Sequence, residues 1–360
     1  MISADCMQYA PQGSAKPVVK PGEFIFSVMY LEHGHIYGMT QALLGAGATL
    51  KHVYDPDAQK VEAFVKAFPK AQPASCEEEI LQDASVQLVC AAAVTCERCA
   101  VGMRVMEAGK DYFTDKGPFT TLEQLETARE AVRRTDRKYM VYFSERLHVE
   151  AAVLAGYMIA QGEIGQVIHM EGFGPHSLNA PDRPEWFFQK EKYGGILCDI
   201  GSHQIEQFLF YTGDDQAKVA ASRIGNYAHP AYPELDDFGD VNLNASSGAT
   251  GYFRVDWFTP KGLSTWGDGR MFILGTKGYI EMRKYVNIAS GEKGGNHLFL
   301  VNDRGEQYFN ATNTVGFPFF GQFILDCLNR TEKAMTQEHA FKAAELCLLA
   351  QKNAEVVAPR

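Results

Sequence analysis

The sequence predicts an α/β half followed by an α+β half: an N-terminal doubly wound parallel sheet, then an open, mostly antiparallel sheet covered by helices on one face. Three observations carry this. Short apolar runs alternate with helical patterns from Phe24 to about Phe143. Beyond the helix at Leu147–Gln161 the runs lengthen and are joined by turn residues such as Ser246-Ser247-Gly248. The chain has 360 residues, 46% of them hydrophobic, which exceeds one ordinary core and suits two domains.

In the first half, Phe24–Tyr30, Leu50–Tyr54, Val86–Ala92, Asp111–Thr114 and Tyr139–Phe143 read as strands. Ile36–Gly47, Asp57–Phe68, Ser75–Gln82, Cys96–Ala108 and Thr121–Arg134 read as the helices between them. Ser75 with Glu78 has capping-box spacing, and Gly109 falls where a helix-ending glycine belongs. Connections this short force crossovers that place helices on both faces of a parallel sheet. Such sheets bind ligands outside the carboxyl ends of their strands.

In the second half, Val167–Gly174, Lys218–Tyr227, Phe238–Ser246, Thr250–Phe258, Met271–Leu274, Tyr279–Met282 and His297–Val301 read as strands. The helix at Asp199–Tyr211 packs on the sheet, and helices near Phe319–Asn329 and Glu338–Glu355 close the chain. The expected division is a loose arm over residues 1–22, a ligand-binding domain over 23–145, and a second domain over 146–360. The closing helices are placed to pack back on the first domain.

Net charge is −10, which argues against nucleic acid or an anionic membrane as the main partner. No run approaches the roughly 18 apolar residues of a membrane span, and the first twenty-odd residues lack the apolar stretch of a signal peptide. The eight cysteines mostly lie in apolar or helical contexts. A lone Cys96-Glu97-Arg98-Cys99 is weak evidence for a metal or redox centre, so a reducing, cytoplasmic setting is expected and no metal.

Two sites stand out. Tyr193-Gly194-Gly195 leads into Ile196-Leu197-Cys198-Asp199-Ile200-Gly201-Ser202-His203, with Asp199 and His203 at helical i, i+4 spacing. A carboxylate beside an imidazole can orient and tune a proton-transfer group, although the same spacing suits a buried, hydrogen-bonded histidine. After the first strand comes Tyr30-Leu31-Glu32-His33-Gly34-His35-Ile36-Tyr37-Gly38, where a Gly-rich turn would let a pyrophosphate meet a helix N-terminus. Only Gly34 and Gly38 are present. Asp55, about 20 residues on, sits where an acid bonds the adenosine ribose. It is equally good turn chemistry in Asp55-Pro56-Asp57. A carboxylate there disfavours a 2′-phosphate, so NAD is preferred over NADP.

Together the halves resemble the glucose–fructose oxidoreductase/inositol dehydrogenase (Gfo/Idh/MocA) family, from about Phe24 to the C-terminus. Its carriers are Gly194-Gly195-x-x-x-Asp199-x-Gly201-x-His203, the Asp115-Lys116-Gly117-Pro118 run, which looks like the family's Glu-Lys-Pro motif, and Gly275-Thr276-Lys277-Gly278-Tyr279-Ile280. Asp115 stands for the family's Glu and Gly117 for its Pro. Val94-Thr95-Cys96 and Cys99 stand where the family often has Pro-Asn and His.

The resemblance implies a Rossmann domain and an NAD-dependent dehydrogenase or reductase acting on a CH–OH group of a sugar, cyclitol or related polyol. It implies that Lys116, Asp199 and His203 meet in a cleft as catalytic groups. His203 is the expected base, Asp199 its orienting partner or a hydroxyl ligand, and Lys116 polarises the reacting oxygen. Leu31, His33, Gly34, His35, Asp55, Ala93 and Lys116 are the expected cofactor contacts. Arg146, His176 and Trp186 join Asp199 and His203 on the substrate side. Trp266 reads as a lid or a contribution to a neighbouring subunit, and a homodimer or homotetramer is expected. Other readings are a hydrolase or lyase that cycles NAD, a sugar-sensing regulator of the same fold, and a zinc enzyme built on Asp199, His203 and Glu206.

Overall fold

A computed structural model of the chain describes residues 16–291 and 294–357. Most of the expected N-terminal arm, residues 1–15, lies outside them. Contacts divide the chain into two units: one runs through Tyr142 and resumes over Gly316–Phe341, and the other comprises Phe143–Val315 and the segment from Lys342 onward.

The first unit holds β1 Ile25–Leu31, β2 Thr49–Tyr54, β3 Gln72–Pro73, β4 Leu88–Ala92, β5 Asp111–Asp115 and β6 Tyr139–Tyr142. They form one six-stranded sheet in the order β3-β2-β1-β4-β5-β6, with every pairing parallel. β4 and β5 are buried at every residue, as a sheet covered on both faces requires. The order reverses between β1 and β4, which opens a crevice at their carboxyl ends. The helices between strands are α1 His35–Gly45, α2 Ala58–Ala67, α3 Glu77–Gln82, α4 Arg98–Glu107 and α5 Leu122–Thr135. Asp57 caps α2 by accepting from the Gln59 amide, and Gly109 follows α4 at φ 76°. The expected Ser75–Glu78 capping box is not formed. Cys76 is the N-cap of α3, and Ser75 bonds Glu79 through both its amide and its hydroxyl, at 2.8 and 3.0 Å.

The second unit begins with α6 Ser144–Leu147 and α7 Glu150–Ala160, and carries α8 Lys190–Tyr193, α9 Ile196–Asp199 and α10 Gly201–Thr212. Its strands are β7 Val167–Pro175, β8 Ala217–Gly225, β9 Phe238–Ala245, β10 Thr250–Asp256, β11 Arg270–Gly275, β12 Gly278–Arg283, β13 His297–Asn302, β14 Gly305–Asn310 and β15 Glu355–Val356. The sheet runs β14-β13-β12-β11-β7-β10-β9-β8-β15. Neighbours pair antiparallel except β7 with β10 and β8 with β15. α10 packs on β7, β10 and β9.

Two helices close the chain, α11 Pro318–Asn329 and α12 Gln337–Lys352. α11 belongs to the first unit, where Phe319 and Phe323 pack on Phe113 of β5. α12 starts in the first unit and ends in the second. Among the described residues, no helix is long and apolar enough to cross a membrane.

Candidate active site

In the first unit the residues gather at the carboxyl ends of β1, β2, β4 and β5. The backbone leaves β1 through Tyr30 at φ 58°, a left-handed conformation that is rare for a bulky residue. Tyr30 is tethered by its phenol, which donates to Glu77, while Arg104 bonds both, reaching Glu77 at 2.5 Å and the phenol oxygen at 3.1 Å. Gly34, by contrast, is right-handed at φ −61°. A held tyrosine thus makes the left-handed turn that a fingerprint glycine would supply.

The turn delivers the Leu31 amide to Asp55 Oδ2 at 2.6 Å, and Asp55 Oδ1 accepts from the Asp57 amide at 2.8 Å. Asp55 shapes the turn, and its buried carboxylate stands at the end of β2. Burial pushes its carboxyl up, against the pull of the two amides and Lys60. Two further acceptor sites of the carboxylate remain for a ribose diol. Glu32, paired with Lys60, adds negative charge beside it. At the start of α1 the His35 amide faces His33 Nδ1 at 3.3 Å, and the Ile36 and Tyr37 amides donate to the His33 and Gly34 carbonyls at 3.2 Å each, while the helix dipole at this end favours an anion. These features fit a dinucleotide with a free ribose 2′-hydroxyl.

Behind the turn lies a buried charge cluster. His33 Nδ1 and His35 Nδ1 reach opposite oxygens of Asp115, at 2.9 and 2.7 Å, with their rings edge to face. The three could converge on a metal, but the same carboxylate also carries the Arg98 guanidinium at 3.4 Å and the Lys116 amide at 2.7 Å. Burial would raise the Asp115 carboxyl; His35, His33 and Arg98 outweigh it and hold it well below the usual range. Burial lowers His33 to about 3, so near neutral pH it is an uncharged donor to Asp115.

Arg98 does more than neutralise Asp115. Its Nε donates to the Ala93 carbonyl at 2.8 Å, and its Nη1 donates to the carbonyls of Lys116 and Gly117. One planar guanidinium therefore ties the loop after β4 to the loop after β5 and fixes the backbone of Lys116. Gly117 stands at φ 69°, which a proline, held near −65°, cannot adopt. The substitution of glycine for the family's proline thus accompanies a different backbone path.

In the second unit, Gly194 ends α8 at φ 85° and Gly195 follows at φ 90°, ψ 159°. The chain then enters α9 and α10 through Ile200. Asp199 ends α9 and His203 lies in the first turn of α10, where its amide donates to Ile200 O at 3.2 Å. The expected single helix is therefore two segments, and the Asp199–His203 spacing straddles their junction. His203 is 2% exposed.

Further polar groups converge in this unit. Glu145 of α6 accepts through Oε2 from Lys284 at 2.7 Å and from Gln204 at 3.0 Å. Burial would raise its carboxyl, but Lys284, His203 and His176 prevail and hold it at about 2. His176 Nδ1 donates to the Gly174 carbonyl at 3.1 Å when it carries the proton, which leaves Nε2 as an acceptor. Its ring lies tilted against Trp266, centroids 4.4 Å apart, and edge-on to Trp257. Trp266 is thus buried inside its own unit, between His176 and Tyr285, and is neither a lid nor a limb offered to a neighbour. Trp186 is half-buried and packs edge to face on Phe187.

Arg146 donates to Glu206 Oε1 at 2.6 Å and lies 3.9 Å over the Phe210 ring. Glu206 is thereby engaged by an arginine, which removes it from any zinc set with Asp199 and His203. The sequence reading passed over Arg98, Glu145, Lys284 and Gln204. The signal was a set of charged and amide residues in otherwise apolar contexts.

Residues 32–143 match the model of the oxidoreductase family with an NAD-binding Rossmann fold, and residues 154–281 match a GFO/IDH/MocA C-terminal domain. The NAD+-dependent scyllo-inositol 2-dehydrogenase of Bacillus subtilis (strain 168) is 28% identical over 275 residues, 74% of this chain and 75% of its own length. A crystal structure from Erwinia carotovora atroseptica SCRI1043 shares 50% identity, with a TM-score of 0.90, over 93% of this chain and all of that one. A levoglucosan dehydrogenase complexed with NADH shares the fold at a TM-score of 0.75 and 16% identity, over 92% of this chain and 98% of that one.

Proposed function

Because the chain belongs to the Gfo/Idh/MocA family of oxidoreductases with an NAD-binding Rossmann fold, we propose that it moves hydride between NAD and a secondary alcohol or ketone of a sugar, cyclitol or related polyol. The observation that carries this reading is His203, buried in the first turn of α10 four residues after Asp199 and followed by Gln204, whose side chain donates to Glu145, in a chain that also keeps the Asp55 carboxylate at the end of β2.

Asp55 would hold the adenosine ribose diol, and the positive end of the α1 dipole, entered through Leu31, His33, Gly34 and His35, would face the pyrophosphate. When bound, the nicotinamide supplies the hydride acceptor. Lys116, its backbone fixed by Arg98, polarises the reacting oxygen, and His203 takes the hydroxyl proton. Asp199 orients the imidazole or binds the adjacent hydroxyl. His176 offers an acceptor nitrogen framed by aromatic faces that suit the C–H surface of a ring. Asp55 and Glu32 repel a 2′-phosphate, which favours NAD over NADP.

The test is a panel of cyclitols and sugars followed by NADH absorbance. His203→Ala and Lys116→Ala should each lower turnover by about 100-fold or more while NAD binding, read by calorimetry, changes little. Near-normal turnover in both variants would sink the assignment.

A further inference from the structure

We propose that Glu145 and Lys284 are a buried positioning pair that sets the proton affinity of His203, an inference that rests on reading His203 as the proton acceptor. Their side chains are 2% and 0% exposed, and the ammonium lies 2.7 Å from the carboxylate. Gln204, the residue after His203, donates to the same oxygen, so the pair is bonded directly to the catalytic segment.

Several glycines make room for this arrangement. A Cβ at Gly172 of β7 would fall on the Gln204 side-chain oxygen, and one at Gly174 would press on its nitrogen at 3.2 Å. A Cβ at Gly295 would fall on the Lys284 carbonyl. The Lys284 backbone is fixed from both sides: its amide donates to Gly269 O, and its carbonyl accepts from Asn296, each at 2.9 Å.

Stability relative to an apolar filling is a weak account of the pair, because a buried ion pair often does no better than apolar residues of the same volume. Its surroundings offer a better account. The charged and titratable groups of the elements around His203 include Asp199 of α9, Glu206 of α10 (held by Arg146), Glu145 of α6, His176 after β7 and Lys284 after β12. Glu145 is the anion whose field reaches His203 and His176. In the low-dielectric interior it favours the imidazolium that forms when a hydroxyl proton arrives. Lys284 lies one bond farther along and offsets part of that field. The pair therefore acts as a graded counter-charge: Glu145 raises the proton affinity of His203, and Lys284 trims it.

The two partners must then push in opposite directions. The experiment is an NMR titration of the His203 imidazole in the full-length protein, with the signal assigned by its loss in His203→Gln. Glu145→Gln should lower the midpoint by about one pH unit, Lys284→Met should raise it, and the double variant should fall between the starting value and that of Glu145→Gln. The acid limb of kcat/KM for polyol oxidation should move with the midpoint. A His203 midpoint unmoved by Glu145→Gln, or shifted the same way by both single substitutions, overturns the proposal. If Lys284→Met fails to fold, Lys284→Arg decides, because a retained charge must leave the midpoint in place. A protein that oxidises no polyol would defeat the proposed reaction, while the titration would still test the pair.

Discussion

The side-chain amide of Gln351 fills the space in which Gly195 would carry a Cβ. From there its oxygen accepts from the Leu197 amide at 3.0 Å, and its nitrogen donates to Asp236 at 2.9 Å. The end of α12 thus caps the start of α9, and the second glycine of the pair is there because a side chain occupies its place. Its φ of 90° and ψ of 159° lie in a region essentially restricted to glycine. Gly195→Ala should destabilise the protein by at least about 2 kcal/mol, as overpacking and backbone strain add. Urea unfolding reads this, and Gln351→Ala in the same chain should recover the overpacking part but not the strain.

Asp55 binds two backbone amides and is placed to bind a ribose. Asp55→Asn keeps an acceptor for Leu31 but loses the charge. NAD affinity should fall by about tenfold, the loss of a charge-assisted hydrogen bond, while discrimination against NADP weakens. Calorimetric titration with each dinucleotide checks this. Unchanged NAD affinity would remove Asp55 from the cofactor site.

Acid should unfold the protein in two separable windows. Burial holds His33 at about 3, below the ordinary histidine value near 6.5. The unfolded chain therefore binds that proton first, and stability falls as pH drops from about 6.5 toward 3. Glu145, held at about 2, contributes stability that is full above its ordinary value near 4.3 and is lost between there and 2. His33→Gln should flatten the upper window and leave the lower one, as read from melting temperature against pH. An unaltered slope between pH 6.5 and 4.5 would count against a neutral, buried His33.

Much of the architecture was legible because it rests on local pattern. Five of the six strands of the first sheet and its parallel pairing follow from runs and crossovers that any short connection imposes, while β3, only two residues long at Gln72–Pro73, left no run to read. What escaped was set by distant partners. β14, Gly305–Asn310, is exposed or half-exposed throughout and carries Glu306 and Gln307, so it shows no buried alternation to detect. The parallel pairing of β7 with β10 depends on register across the whole domain. At the site, Asp199, His203 and Asp55 stood in recognisable spacing. Arg98, Glu145 and Lys284 drew no functional reading, because only their folded partners make burial tolerable. Tyr30 was hidden for a related reason. A left-handed tyrosine becomes acceptable only when Glu77 and Arg104, far along the chain, hold its ring.

The first unit is not a continuous stretch of chain, and this orders its biosynthesis. The strands through Tyr142 emerge early, but α11, whose Phe319 and Phe323 cover Phe113, emerges only after β7 to β14 of the second sheet. Until then the nascent nucleotide-binding half waits with part of its apolar surface bare, open to chaperones or to misassembly. Ribosomal stalling or a premature stop anywhere before Pro318 would leave the first unit without the helix that seals Phe113, so a truncation after β6 would expose apolar surface rather than release a finished domain.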